Sequence, residues 1–356
     1  MSRPQDPHRP FFPLGNPFRR ILPKGLQMSP RLISILNSFE ETLAERLRKL
    51  IPEDQGDVLS LTWMKLAMES LCETHTDMKT LITDLDLPVT GWDQNWIDVY
   101  LDDSMRLLDT CIALSSEISR LNQGHLLLQC ALHNLESGTP ECCMKARSAL
   151  DNWRHHIYSK NPRVQSCRSI LDSLVEALNL PKVKNSSKGK VLLHAIYGVK
   201  AVTIFVCSVF ASAFSSSSKN LLDLAIPDTV LWARAFSDLQ TRVSGEIREL
   251  FPSEKSTGLK ELDSVDSIVK TLYPAIRDRL QQPPGVEEEA LKICFTDLQG
   301  GAEKLSEGLD LLAKQVDTFF ETVLSGREAL LCNLRVTSSD MNAVTGGKIW
   351  EQQAVR

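Results

Sequence analysis

Val191-Leu192-Leu193-His194-Ala195-Ile196-Tyr197-Gly198-Val199-Lys200-Ala201-Val202-Thr203-Ile204-Phe205-Val206-Cys207-Ser208-Val209-Phe210-Ala211-Ser212-Ala213-Phe214 carries a single formal charge in 24 residues. A helix of about 20 apolar residues can cross a bilayer, and the same run also fits the centre of a large soluble bundle. The flanks favour the membrane. No acid occurs between Glu176 and Asp223; Lys182, Lys184, Lys188 and Lys190 precede the run, and Ser215 to Ser218 follow it. Basic residues beside an apolar run mark the cytoplasmic end of a span. Lys200 argues the other way, because an ammonium near mid-span costs about 2.5 to 3.5 kcal/mol on insertion. Moving the span to Ala201–Ser218 removes Lys200 but admits six serines into 18 residues. A buried central helix is the favoured reading of 191–218, with a true span and reversible membrane docking as its rivals. The four lysines then form either a patch for anionic lipid, worth about 1 kcal/mol each near a membrane, or a solvated loop.

Outward from this run the pattern is helical in both directions. Leu32, Ile35, Leu36, Phe39, Leu43, Leu47 and Leu50 recur at spacings of three and four and stop before Pro52. A second helix carries Leu61, Met64, Met68, Leu71, Leu81, Ile82 and Leu85 before Pro88. Trp92 and Trp96 open a long helix through Leu135, with Gly124 as an expected kink. The next runs from about Pro140 to Leu180 with a break at Asn161-Pro162. Val230 to Phe251, Leu259 to Leu280 and a last long helix after Pro284 complete the series. Glu287, Glu288 and Glu289 suit the first turn of that last helix, where the dipole favours carboxylates. No alternating strand pattern and no fixed repeat is present. The expected fold is all-α: an elongated bundle of long antiparallel helices with a flexible N-terminal arm. Residues 1–28 are the basic, proline-rich arm, 29–336 a single helical-bundle domain, and 337–356 a polar flexible tail.

The chain has 356 residues, 40 lysines and arginines against 45 acids, and a formal charge of −5. That balance excludes a general nucleic-acid binder, and 42% hydrophobic content excludes disorder throughout. Nine irregularly spaced cysteines are unlike the dense, even frameworks of small secreted domains and indicate reduced thiols inside a cell. The arm lacks the apolar core of a signal peptide. It is basic like a transit peptide, but six prolines and a single serine oppose that reading. Phe11, Phe12 and Phe18 are its apolar residues, candidates for docking on a partner.

Motifs that carry chemistry are missing. Cys72 with His75 and Cys130 with His133 have helical-face spacing, but a zinc site needs three or four convergent ligands, and no CxxC or HExxH occurs. His155-His156 cannot share one helical face and reads as surface. There is no GxSxG, GxGxxG or GxxxxGK[ST]. Asn185-Ser186-Ser187 is a formal sequon without meaning in a reducing compartment. No catalytic residue, metal or cofactor is expected, and the chain reads as a non-enzyme.

Some stretches are distinctive in themselves. Arg3-Pro4-Gln5-Asp6-Pro7, Phe11-Phe12-Pro13 and Gly15-Asn16-Pro17-Phe18 open the chain. Trp63-Met64-Lys65, Ala67-Met68-Glu69-Ser70-Leu71-Cys72-Glu73-Thr74-His75 and Lys79-Thr80-Leu81-Ile82-Thr83-Asp84-Leu85 follow. Later come Arg120-Leu121-Asn122-Gln123-Gly124-His125-Leu126-Leu127-Leu128-Gln129 and Leu178-Asn179-Leu180-Pro181-Lys182-Val183-Lys184-Asn185. Tyr273-Pro274-Ala275-Ile276 and Leu324-Ser325-Gly326-Arg327 complete the set. Together these resemble the plant BYPASS family over nearly the whole chain. The resemblance implies a regulator of root and shoot development that restrains a root-derived, mobile, carotenoid-linked signal able to arrest shoot growth. It implies protein partners, with an exocyst subunit as one, and cytoplasmic, membrane-associated or plastid placement. Two alternatives stay open: a membrane-associated adaptor in secretion, and an enzyme or carrier for an apolar carotenoid-derived metabolite, which would need a cavity of roughly 300 to 1,000 Å³.

Overall fold

The computed structural model describes residues 28–54, 56–85, 95–179, 186–251, 258–281 and 288–351; for 95–96, 278, 280–281, 288–290 and 332–351 it describes the backbone alone. The helices are α1 (Pro30–Lys49), α2 (Leu61–Asp84), α3 (Asn95–Ser137), α4 (Pro140–Tyr158), α5 (Pro162–Glu176), α6 (Ser187–Ser215), α7 (Ala233–Leu250), α8 (Lys260–Gln281) and α9 (Glu288–Glu351). Among the described residues there is no strand, and the architecture is an all-α bundle. The expected arm, with Phe11, Phe12 and Phe18, lies outside the described residues.

Local chemistry sets where the helices begin. Ser29, Thr139 and Asn161 each cap a helix whose first residue is proline, and their side chains accept from Leu32, Cys142 and Arg163 backbone N–H groups. A short polar cap followed by proline satisfies one orphan donor and supplies a residue that has none. Asn161-Pro162 thus separates α4 from α5 where the break was expected. Ser186, the centre of the formal sequon, caps α6 by accepting from Gly189 N–H at 3.0 Å. The serine run ends α6: Ser216 adopts the left-handed conformation at φ 51°, and Ser217 N–H reaches back to Ser212 O at 3.1 Å.

Long helices α3 and α9 organise the rest. Asp310 meets Asn122 while Arg327 meets Ser104, so these two run antiparallel. Gly308 lies on Leu61, Phe319 on His75 and Ser325 on Lys79, so α9 runs parallel to α2. One half of the molecule packs α1, α2, α5, α6 and α7 around the early part of α3 and the middle of α9. The other half is a four-helix arrangement of late α3, α4, α8 and early α9. One connected apolar core runs through both, from Leu36 on α1 to Val323 on α9. At about 1.5 Å per residue, the 43 residues of α3 span about 65 Å, which accounts for the elongated form.

The structure departs from the pattern at three places. Gly124 does not interrupt α3; it lets α4 approach, since a Cβ there would sit 3.2 Å from His156 Cδ2 and 3.6 Å from the Trp153 ring. His156 is accordingly half-buried rather than on the surface, with Nε2 2.7 Å from Arg120 O, while His155 is exposed. Finally, α9 stays helical through Glu351, into the segment read as a loose tail from 337. The run Thr337-Ser338-Ser339-Asp340 is polar, so hydrophobic periodicity gave no sign of the continuation.

A polar clamp joins α4 to α8. The Asp266 carboxylate, 1% exposed, accepts from Arg154 at 2.9 Å, Lys270 at 2.6 Å and Tyr158 Oη at 2.8 Å. Burial alone would raise its pKa, but hydrogen bonds from Lys270 and Tyr158 and the Arg154 charge outweigh burial and hold it below the usual aspartate range. A depressed carboxyl contributes stability that is complete above its unfolded pKa, near 3.9, and is lost as pH falls through the folded value. Asp266→Asn is expected to lower stability by about 2 kcal/mol at neutral pH, because the partly exposed Arg154 and Lys270 rehydrate. Urea unfolding should show the gap narrowing below about pH 4; a gap constant with pH would deny Asp266 this role.

Candidate functional site

Helix α6 is enclosed by α1, α2, α3, α5 and α7, and 83% of its most apolar window is buried. It is long and apolar enough to cross a membrane, yet in this structure it is the central core helix. Lys200 shows how the charge is accommodated. Its ammonium lies 2.7 Å from Asp103 Oδ2 of α3 and donates to Ala177 O at 3.3 Å, and the paired side chains are only 10% and 11% exposed. Burial pushes the Asp103 carboxyl above its ordinary range, against the opposing pull of the Lys200 ammonium.

Beside this pair lies a cavity of about 40 Å³ between α2, α3 and α6, lined by His75, Tyr100, Asp103, Lys200 and Thr203 among others. That is room for water, far short of the roughly 300 to 1,000 Å³ of an organic-ligand site. His75 Nε2 sits 3.0 Å from Thr203 Oγ1, and its ring meets Phe319 edge-on at 5.0 Å. Burial drives its pKa down to about 4, so the imidazole is neutral. The unfolded chain takes up that proton below about pH 6.5, so His75 should cost about 3 kcal/mol of stability as pH falls from 6.5 to 4. Stability against pH in urea should therefore be flatter for His75→Gln than for the wild type across this window. Parallel curves would show that His75 is not the neutral buried group.

The Cys72–His75 and Cys130–His133 pairs do not converge. His75 faces α6 and Phe319 of α9, whereas Cys130 and His133 are exposed on the other half of α3. Among the described residues no group of histidine, cysteine and carboxylate side chains has metal-holding geometry. Eight described cysteines are free thiols. Burial raises Cys72 and Cys167 to about 11 and Cys111 to about 12, and lifts Cys207 well above its ordinary value. Raised in this way, these thiols stay protonated at neutral pH, and only a thiolate is a good nucleophile.

Of the expected basic cluster, Lys182 and Lys184 lie outside the described residues, while Lys188 and Lys190 stand half-buried on the first turn of α6. Burial and the nearby Lys190 charge lower the His194 pKa one turn further along. An open concavity had no counterpart in the sequence reading. It is an open furrow of about 730 Å³ where α3, the α4–α5 junction and α9 meet. Ile112 and Phe320 form its apolar part, Ser115 and Ser119 add hydroxyls, and Lys160 and Arg163 supply positive charge. It is assembled from three distant segments, so no local motif announces it.

Fold and site together define an all-α bundle protein with ionisable groups in its interior. A family model described as Protein ROH1-like matches residues 27–152 and 151–334, and the chain belongs to this family. It is similar to Protein BPS1, chloroplastic, of Arabidopsis thaliana, with 52% identity covering 98% of this chain and 97% of that protein. It is also similar to UPF0496 protein 4 of Oryza sativa subsp. indica, at 37% identity over 95% of this chain and 98% of that protein. The japonica rice counterpart is 36% identical. No solved structure matches. These relationships agree with the BYPASS resemblance and support a developmental regulator of BYPASS type.

Proposed function

We propose that this protein regulates plant root and shoot development by binding other proteins, restraining production of a root-derived, carotenoid-linked signal that arrests shoot growth. The observation that carries this reading is the 52% identity to Protein BPS1 across 98% of the chain. On this reading the site of action lies on surfaces, with the arm residues Phe11, Phe12 and Phe18 and the exterior of the bundle as the proposed contacts. An exocyst subunit is one candidate partner, and the chloroplastic designation of the Arabidopsis relative makes the plastid one candidate location beside the cytosol and the membrane surface.

Complementation tests the reading. A plant lacking this protein, transformed with the wild-type chain, should recover root and shoot growth. The Phe11→Ala/Phe12→Ala/Phe18→Ala variant should accumulate normally and fail to rescue. Full rescue by that variant removes the arm from the mechanism, and turnover of an apolar metabolite by the purified protein would replace the interaction reading with the enzyme or carrier. Alkaline carbonate washing of fractionated cells locates the protein: release places it peripherally, and resistance would make α6 a span.

A further inference from the structure

We propose that the open furrow between α3, the α4–α5 junction and α9 docks an acidic peptide segment of a partner protein built around an apolar anchor. This names a surface for the interaction reading above and rests on it. The furrow has the two components such a segment needs. Ile112, 46% exposed, lies with the half-buried Phe320 in a trough wide enough to take a large side chain from outside. Isoleucine on a helix surface beside a phenylalanine of another helix is an anchor pocket when a partner covers it.

The charge around it is selective. Lys160 and Arg163 flank Asn161-Pro162 at the rim, both exposed and neither in an ion pair among the described residues. Arg120 also borders the furrow, but its charge is balanced by Glu117 at 2.5 Å, and it is held further by His156 O and Ser159 Oγ. Asp317 is the acid on the lining. The free charge at the rim is therefore positive on a molecule whose formal total is −5. A rim cation steers an acidic partner and resists a basic one. The hydroxyls of Ser115 and Ser119 along the α3 side suit backbone or carboxylate contacts of an extended segment.

Other occupants fit less well. The chain's own N-terminal arm carries Arg3, Arg9, Arg19, Arg20 and Lys24 against Asp6 and would be repelled. Nucleic acid needs a longer basic track than one lysine and one arginine provide. A small organic anion calls for an enclosed chamber that buries most of its surface, and this furrow is open along its length.

The experiment uses the full-length purified protein and a fluorescein-labelled peptide of glutamates and aspartates around a central Phe-Leu pair, read by anisotropy. Saturable binding that weakens with salt, and is absent for the same peptide with lysines replacing the acids, is expected. Lys160→Glu/Arg163→Glu and Ile112→Asp should each lower affinity roughly tenfold or more. Lys145→Glu, elsewhere on α4, should leave affinity unchanged. Circular dichroism and the thermal midpoint check the folds, and Lys160→Gln/Arg163→Gln carries the test if the charge reversal does not fold. Affinity unchanged in the paired variants overturns the proposal. So does pyrophosphate that binds on its own and displaces the peptide, which would make the furrow a small-anion site. This binding is measured apart from development, so its failure leaves the interaction reading standing on other surfaces. Failure of complementation, conversely, leaves the peptide affinity as measured.

Discussion

Lys200→Leu is expected to destabilise the folded protein by about 3 to 5 kcal/mol, because it leaves Asp103 buried without its partner. Among the described residues Asp103 is the carboxylate paired with the Lys200 ammonium, at 2.7 Å, and its surroundings already disfavour its charged form. Removing both partners together in Lys200→Leu/Asp103→Leu should restore most of the loss, since a buried ion pair and an apolar pair of similar size are often close in stability. The cycle is measured by urea unfolding of the wild type, both single variants and the double. The same substitution separates the two roles of the apolar helix. In a membrane span, Lys200→Leu would remove an insertion penalty of about 2.5 to 3.5 kcal/mol and strengthen membrane retention. In a core helix it weakens a soluble protein. Firmer retention in carbonate-washed membranes, together with undiminished stability, would sink the core assignment.

Gly258→Ala is expected to be at least as damaging, above about 4 kcal/mol, in the range reserved for core disruption. A Cβ at residue 258 would lie 1.6 Å from Ala213 O and 2.5 Å from Ala213 C. Both are backbone atoms at the end of α6, so no rotamer change relieves the clash. The start of α8 would have to move away from α6, and Lys260 N–H would have to leave Leu59 O, which it meets at 3.1 Å. Gly245 is the matched control. It is exposed within α7 and has nothing within 4 Å of its would-be Cβ. Gly245→Ala should therefore stabilise by about 0.5 to 1 kcal/mol. Equal behaviour of the two variants in denaturant would mean that the α6–α8 approach is not as close as described.

What the sequence conveyed was helix position, and the reason is local. Leucine spacing, polar caps and prolines act within a few residues, and they located α1, α2 and the α4–α5 break almost to the residue. What it withheld was partnership. Lys200 reads as a charge stranded in an apolar run because Asp103 is 97 positions away. His75 reads as half of a ligand pair with Cys72, while its contact is Thr203, 128 positions on. Gly124 shows the same limit: a missing side chain is equally a bend or a close approach, and only α4 packing against it decides. The furrow is the extreme case, since Ile112, Arg163 and Phe320 share no pattern that any window could hold. The helix beyond Arg335 went unseen for another reason, because Thr337-Ser338-Ser339-Asp340 reads as a polar, loose run.

The order in which the chain is made follows from the packing of α9. Of the helices that enclose α6, α1, α2, α3 and α5 are synthesised before it and α7 after it, so the most apolar segment emerges into a setting that can already shelter most of it. The seam along α2 and α3 has no such provision. It is closed by α9, whose Ser325 meets Lys79 across 246 positions. At roughly 5 to 20 residues per second, that seam stays open on the ribosome for about 12 to 50 seconds. Throughout that interval the apolar face of α2 destined for α9 is bare, joined by that of α3 once it has been made. A nascent chain of this design is open to aggregation for that time, and a chain truncated before residue 288 would keep the same apolar faces exposed for good.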